Sequence, residues 1–383
     1  MKNNRFFFGN GLTIIVFIIL ISFPLLDTFF SFTGENKNIE NRRLQKMPEF
    51  HIKAFKLFFM QFELYFNENF RPRTALFQAY SFLKVNALKT SPNPTKVIIG
   101  KDGWFFLGDG DGMYNAMKDY RCTIPLYKDE LDDIVQQVKA NKTYLDSLNI
   151  KYYIAIAPSA QTIYPEYLPD NIIRASDVSR QDIIKEVLKE RLNFNLIDLR
   201  PPLLYNKGKM PFLLYYKTNS HWNALGGYIG YRTIMQRVEA DLPNIATASL
   251  DSFKLVREGD VKDSFADMIG LVVPEESKEI DVKMVETFKK NVRCDSLNYK
   301  IPSYYYFNPK AFYIKYTNTG NKKYKVIIFR DSFSQALEQF FPDSFSESIF
   351  IWDRKIRKDI VEREKPDVVM QIMVERYIET LKN

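Results

Sequence analysis

The chain carries 383 residues, room for two ordinary domains or one enlarged one, and its 54 Lys and Arg exceed 46 Asp and Glu to leave a net charge of +8. The charges are scattered rather than drawn into a basic stripe, which argues against a nucleic-acid groove. Two distant cysteines, Cys122 and Cys294, and two histidines, His51 and His221, argue against a zinc site or a disulfide scaffold, leave one isolated disulfide open, and point to chemistry without metal or cofactor.

Residues 1–10 form a short N-terminus before an almost continuously apolar run over 11–32, which includes Leu12-Thr-Ile-Ile-Val-Phe-Ile-Ile-Leu-Ile-Ser-Phe-Pro-Leu-Leu26. At ~1.5 Å per residue this is long enough to cross a bilayer as a transmembrane helix. No small-x-small cleavage site follows, so it reads as an uncleaved signal anchor. Lys2 and Arg5 favour an inside N-terminus, but Lys37, Arg42, Arg43 and Lys46 behind the run oppose them, and charge alone leaves the orientation open.

Residues 33–95 read as a polar tether followed by a helical juxtamembrane segment. The tether breaks at Met47-Pro48, and the His51 behind it reads as a solvated surface residue. Phe55, Phe58, Phe59, Phe62, Phe66 and Phe70 recur at near-helical spacing until Arg71-Pro72-Arg73 interrupts, and a second helical run continues to Lys89. This aromatic face either docks on the main domain or lies at the bilayer surface.

From residue 96 to 383 the pattern is that of one α/β domain. Val97-Ile-Ile99 and Trp104-Phe-Phe-Leu107 flank Gly100-Lys-Asp-Gly103 as a hairpin. Leu131, Ile134, Val135, Val138, Leu145 and Leu148 mark a helix before a strand over 152–157, and Ile183, Ile184, Val187, Leu188 and Leu192 mark another before a strand over 195–199. Strands over 326–329, 348–352 and 367–373 alternate with helices from Ser334 and over 355–363. Such alternation predicts a mainly parallel sheet flanked by helices. Residues from about 240 to 320 break the pattern and read as an insertion or lid.

Two stretches carry chemistry. Arg330-Asp331-Ser332 falls on a strand-to-helix turn, where Asp331-Ser332 is either an ordinary N-cap or a nucleophile at the carboxyl edge of the sheet. Tyr215-Tyr-Lys-Thr-Asn-Ser-His-Trp-Asn223 puts His221 beside Trp222, just before a helical run. Asn219, two residues ahead, can lean to the same side and orient the imidazole; alternatively His221 caps the helix or fills a polar pocket.

Together with Glu40-Asn-Arg-Arg-Leu44, Pro48, Val97-Ile-Ile-Gly-Lys-Asp-Gly-Trp-Phe-Phe106, Ile163-Tyr-Pro-Glu-Tyr-Leu-Pro169, Lys365-Pro-Asp-Val-Val369 and Glu375-Arg376, these stretches form an ordered series. It resembles the SGNH-hydrolase-like proteins of bacterial exopolysaccharide O-acetylation, of the AlgJ and AlgX type. The resemblance implies that Ser332 attacks an acyl ester, that His221 is its base, and that a sugar hydroxyl then takes the acyl group from the acyl-serine. The activity expected is that of a membrane-anchored O-acyltransferase, most of all an O-acetyltransferase, or of an esterase. It implies further a domain in the periplasm, anchored to the cytoplasmic membrane with the N-terminus inside, a polysaccharide acceptor, and a membrane-bound acyltransferase as acyl donor. Arg330, Asp331, Ser159, Gln161 and Trp222 are the candidate oxyanion or substrate-positioning residues. The family's usual acid is aspartate, whereas this chain has Asn219, and Gln161 stands where relatives often carry lysine. In serine proteases an Asp-to-Asn change of this kind slows turnover about ten-thousandfold, about 5 kcal/mol of barrier. Three readings follow: Asn219 suffices; another carboxylate, Asp198 or Asp331, serves; or the protein binds glycans without turning them over.

Overall fold

The computed structural model describes residues 3–30, 32, 44–70, 72–110, 115–262, 264–288, 290–295 and 309–382. Contacts divide the chain into two units, residues 1–97 with 264–275, and residues 98–263 with 276–383.

In the first unit, α1 (Asn3–Phe30) is a 28-residue helix with Pro24 inside it. It lies on the expected span but begins earlier. Among the described residues no helix is long and apolar enough to cross a membrane, so the transmembrane expectation stands on sequence alone. The tether over 33–43 lies outside the described residues. Beyond it come α2 (Phe55–Asn69) and α3 (Arg73–Phe82), the latter prolonged by a π-turn over Leu83–Ala87. The expected aromatic face forms as a ladder at four-residue spacing, with Phe58, Phe62, Phe66 and Phe70 stacked at 5.8, 6.4 and 5.9 Å. No residue of α2 is buried. The buried Ser81 donates its hydroxyl to the Ile269 carbonyl at 2.5 Å and ties α3 to the 264–275 segment.

The second unit opens with the hairpin β1 (Val97–Ile99) and β2 (Phe105–Leu107), followed by α4 (Ala116–Tyr120), α5 (Lys128–Ser147), β3 (Lys151–Ala157), α6 (Ala160–Ile163) and α7 (Arg180–Leu192). Next come β4 (Ile197–Asp198), α8 (Arg200–Asn206), α9 (Ala224–Asp241), β5 (Phe253–Asp260), β6 (Ile280–Glu286), β7 (Val292–Cys294) and β8 (Tyr313–Asn318). The chain closes with β9 (Lys325–Arg330), β10 (Glu347–Ile351), α10 (Lys358–Glu364) and β11 (Val368–Val374). Seven strands form one sheet in the order β4-β3-β11-β9-β10-β8-β7.

The sheet is mixed: the parallel body expected carries an antiparallel edge that was not. β4 through β10 run parallel, but β8 and β7 add an antiparallel edge. Both edge strands come from the stretch read as an insertion. The rest of that stretch pairs β5 with β6 as an antiparallel hairpin apart from the main sheet.

β9 shows why its apolar run is continuous rather than alternating. Val326 and Ile328 pack into the cluster beneath α9 with Phe333 and Phe340, while Ile327 and Phe329 pack on the opposite face with Ile360 and Val361 of α10. All four are fully buried, as a central strand covered on both faces requires. The turn after β9 therefore emerges at the carboxyl edge of the sheet, between the ends of β11 and β10. The segment after Ser332 was expected as an α-helix; it is a six-residue 3-10 turn, Ser332–Leu337. So short an element sums few peptide dipoles, and its N-terminus is a weaker anion site than a full helix.

Candidate active site

Two loops of the second unit meet at this edge. The first runs from Tyr215 to Trp222, closed by a bridge between those two residues and by the Tyr216 N–H on the His221 carbonyl at 3.2 Å. Its far end is clamped by Glu279, whose carboxylate accepts from the backbone N–H groups of Lys217 and Thr218, each at 2.8 Å, and from the Thr218 hydroxyl at 2.7 Å. The second is the turn after β9. Asp331 caps it, accepting from the Phe333 N–H at 2.9 Å and from the Val374 N–H at the end of β11 at 2.8 Å. The loops are joined by the Trp222 indole N–H, which donates to the Phe333 carbonyl at 2.8 Å.

Small residues permit the approach. Asn223 caps α9 by accepting from Leu225 and Gly226 N–H, and the helix then presents Gly227 to the serine turn. A Cβ on Gly227 would lie 2.7 Å from the Ala336 methyl group, closer than packed carbons stand.

The result is a continuous hydrogen-bond chain. Ser332 Oγ is 2.8 Å from His221 Nε2, and His221 Nδ1 is 2.7 Å from Asn219 Oδ1. The tautomer follows from the partners. Asn219 Oδ1 also accepts the His221 backbone N–H at 3.1 Å, and Asn219 Nδ2 donates to the Lys262 carbonyl at 2.9 Å, so oxygen faces the ring. Nδ1 therefore carries the proton, and Nε2 is free to accept from the Ser332 hydroxyl. The Ser220 hydroxyl stands 3.3 Å from Nδ1. Burial, seconded by the nearby Arg376 cation, pushes the His221 pKa down to about 3.

A cleft of about 690 Å³ opens over this chain. Ser332, His221, Asn219 and Trp222 line its floor, and residues 258–262 and 281–286 of the β5–β6 hairpin form a wall.

The five flanking candidates separate from this centre to different degrees. Arg330 points into the body of the unit, paired with Glu338 at 2.8 Å and stacked over Trp352 at 4.4 Å. Asp331 is held by the two backbone donors of the turn; burial raises its pKa against those donors and Arg376. Ser159 gives its backbone N–H to the buried Glu375 at 2.8 Å, and Gln161 donates to the Ala116 carbonyl at 3.1 Å. Trp222 alone of the five borders the cleft, with its N–H engaged by Phe333. Asp198, considered as a substitute acid, sits on β4 with β3 and β11 between it and β9. Burial would raise its pKa, but Arg200 at 2.7 Å holds it below the usual carboxylate range.

Sequence reasoning missed three contributors. Glu279 and Lys262 fall in the stretch that showed no periodicity. Arg376 belongs to the Glu375-Arg376 pair already noted, and its guanidinium lies 5.4 Å over the Phe333 ring. Burial, with Asp119 nearby, pushes Glu375 up to about 7. Among the described residues no group of His, Cys, Asp or Glu is arranged to hold a metal ion, and neither Cys122 nor Cys294 is in a disulfide.

Residues 97–294 match the family model described as SGNH hydrolase-like domain, acetyltransferase AlgX. The match includes Asn219 and His221 but ends before Ser332. Among solved structures, PatB1 of Bacillus cereus superposes with a TM-score of 0.52 at 13% identity, over 74% of this chain and 96% of that one. A DHHW family protein from Eubacterium siraeum gives 0.49 at 14% identity over 76% and 94%, and the O-acetyltransferase domain of Pseudomonas putida AlgJ gives 0.43 at 14% over 74% and 92%. At such identities the PatB1 likeness speaks for the fold. No curated protein matches the chain by sequence.

Proposed function

This chain belongs to the AlgX-type SGNH hydrolase-like domain family, and from that premise we propose that it is a membrane-anchored O-acyltransferase acting on an extracytoplasmic polysaccharide. The observation that carries the reading is the chain from Ser332 through His221 to Asn219, at 2.8 and 2.7 Å. In the first half-reaction Ser332 Oγ attacks the acyl carbonyl while His221 Nε2 takes its proton. The oxyanion develops beside the Ser332 backbone N–H, and the bond to the leaving oxygen breaks as His221 returns the proton to it. In the second, His221 takes a proton from a sugar hydroxyl, which attacks the acyl-serine carbonyl, and the bond from the acyl carbon to Ser332 Oγ breaks as His221 passes that proton to Oγ. No metal or cofactor has a part. The acyl group is acetyl and its donor a membrane-bound acyltransferase; the apolar run of 11–32 anchors the protein in the cytoplasmic membrane, N-terminus inside, with the 96–383 domain in the periplasm.

A second reading, a glycan-binding component with little turnover, is favoured by one observation. An amide at 219 supplies no charge to an imidazolium that Arg376 already opposes. Purified protein mixed with p-nitrophenyl acetate separates the two. The first reading predicts an acetyl-sized mass increase on the Ser332 peptide, abolished by Ser332→Ala. Acetyl incorporation or ester turnover that survives Ser332→Ala sinks the catalytic assignment, and saturable polysaccharide binding without any acyl-enzyme supports the second.

A further inference from the structure

By composition Asn219 is a triad acid that has lost its charge. The hydrogen bonds around it point elsewhere. We infer that the amide is the group this site requires: Asn219 is a positioning residue clamped between His221 and the Lys262 carbonyl, and aspartate in its place impairs the triad rather than repairing it. The inference deepens the acyl-serine reading but does not depend on it for its structural half.

The side chain is buried and its two ends face opposite demands. Oδ1 accepts from His221 Nδ1 at 2.7 Å and from the His221 backbone N–H at 3.1 Å, while Nδ2 donates to the Lys262 carbonyl at 2.9 Å. A carboxylate satisfies only the first end. Its second oxygen would face the carbonyl oxygen at hydrogen-bond distance with no proton between them, an uncompensated contact in a half-buried position. The strand beside it is pinned by the Val261 N–H on the Glu279 carbonyl at 2.9 Å, and the Glu279 carboxylate in turn holds the Lys217–Thr218 backbone. An aspartate at 219 therefore has two states. Protonated, it mimics the amide and keeps His221 in place. Ionised, it is repelled from Lys262 and releases the ring. Burial and the Lys262 carbonyl would raise the carboxyl pKa, outweighing the two N–H donors on Oδ1, so both its stability and its service to His221 would be present at low pH and lost as pH rises.

The full chain, its Asn219→Asp variant and its Asn219→Ala variant test this in two ways. Acylation of Ser332 by p-nitrophenyl acetate, followed by mass spectrometry, should run near the wild-type rate for Asn219→Asp at pH 5 and fall about tenfold or more below it by pH 8. An Asp variant as fast as wild type at pH 8, with an unchanged pH profile, overturns the inference. Thermal melting needs no activity: the gap between wild type and Asn219→Asp should widen from pH 5 to pH 8, with Asn219→Ala melting above Asn219→Asp at pH 8. A constant gap, or an Asp variant that melts at or above the Ala variant at pH 8, overturns it equally. Should the wild type form no acyl-serine, the acyltransfer reading fails while the melting series still decides the clamp.

Discussion

The state of His221 decides what the triad can do at a given pH. An ordinary imidazole titrates near 6.5 and is half lost as a base there. Burial and the Arg376 cation hold His221 well below that, at about 3. The sign of the linkage follows: the folded pKa lies below the unfolded one, so the neutral ring contributes stability that is complete above about pH 6.5 and lost as pH falls toward 3. Acylation of Ser332 should accordingly show no loss between pH 7.5 and 5.5, where a solvent-exposed imidazole would have lost most of its basic form. A midpoint near 6.5 in the rate profile would contradict the depressed pKa. Arg376 can be separated from burial. Its guanidinium rests on Phe333 and Tyr377 at 5.4 and 5.1 Å, so Arg376→Met keeps much of the apolar contact while removing the charge. The His221 pKa is then expected to rise, and stability to fall by about 1–3 kcal/mol because Asp331 loses a nearby cation. With only two histidines in the chain, proton NMR titration of the imidazole resonances reads the shift directly.

At the level of elements, the site depends on how closely the serine turn lies on α9. Gly227 is where that distance is set, since an added Cβ would meet Ala336 at 2.7 Å and its carbonyl oxygen at 3.3 Å. Gly227→Ala should push the Ser332–Leu337 turn outward, lengthen the Ser332–His221 hydrogen bond and slow acylation at least tenfold, at a stability cost of about 1–3 kcal/mol. Restored rate in a Gly227→Ala, Ala336→Gly double variant would locate the effect at that contact; a double variant no faster than the single one would deny it. The same elements explain what could be read in advance. β9, β10 and β11 are strands of five to seven residues built on apolar residues, Val326–Phe329, Ile349–Ile351 and Val368–Val374 around Gln371, and α5 carries a clean helical face, so period and length announced them. The pairing of Ser332 with His221 was implied by the resemblance of the ordered motifs to the O-acetylation proteins; either stretch alone read equally as a cap or a polar pocket. β7 and β8 were not legible. The two pair antiparallel at the sheet edge, and β8 is half-buried for most of its length, so no strong alternation marks it. The clamps on the 216–221 loop were invisible for another reason: Glu279 and Lys262 act through one carboxylate and one backbone carbonyl, and neither carries a periodic signature. The short 3-10 turn after Ser332 was expected as a helix because Ser334–Phe341 has helix-compatible residues; the chain instead forms two short 3-10 elements, Ser332–Leu337 and Phe341–Asp343.

Over the whole molecule the charge is positive, yet the cleft is not. Its lining carries the carboxylates of Glu258, Asp260, Asp281 and Glu286 against Lys262 and Lys283. Nearby lysines largely match these acids: Lys283 stands 4.0 Å from Glu258, Lys278 3.4 Å from Asp260, and Lys290 2.6 Å from Glu286, while Asp281 accepts the Tyr216 hydroxyl. A polymer of uronic acids brings one carboxylate per sugar and needs unspent cations along its path. This wall offers it mainly carboxylates and lysines already engaged. Sugar hydroxyls, by contrast, can both donate to those carboxylates and accept from the lysines, and a cleft of about 690 Å³ holds a short run of sugars. An uncharged oligosaccharide should therefore take acetyl from the acyl-serine faster than a uronate oligomer of equal length, by about tenfold or more at low salt, with the difference narrowing as salt screens the wall. Replacing Glu258 and Asp260 together by Gln and Asn should raise transfer to the uronate and leave transfer to the neutral acceptor within a few-fold of wild type. Both quantities are read by mass spectrometry of the acetylated products, and equal or better use of the uronate by the unaltered protein would remove the charge of this wall as a determinant of the acceptor.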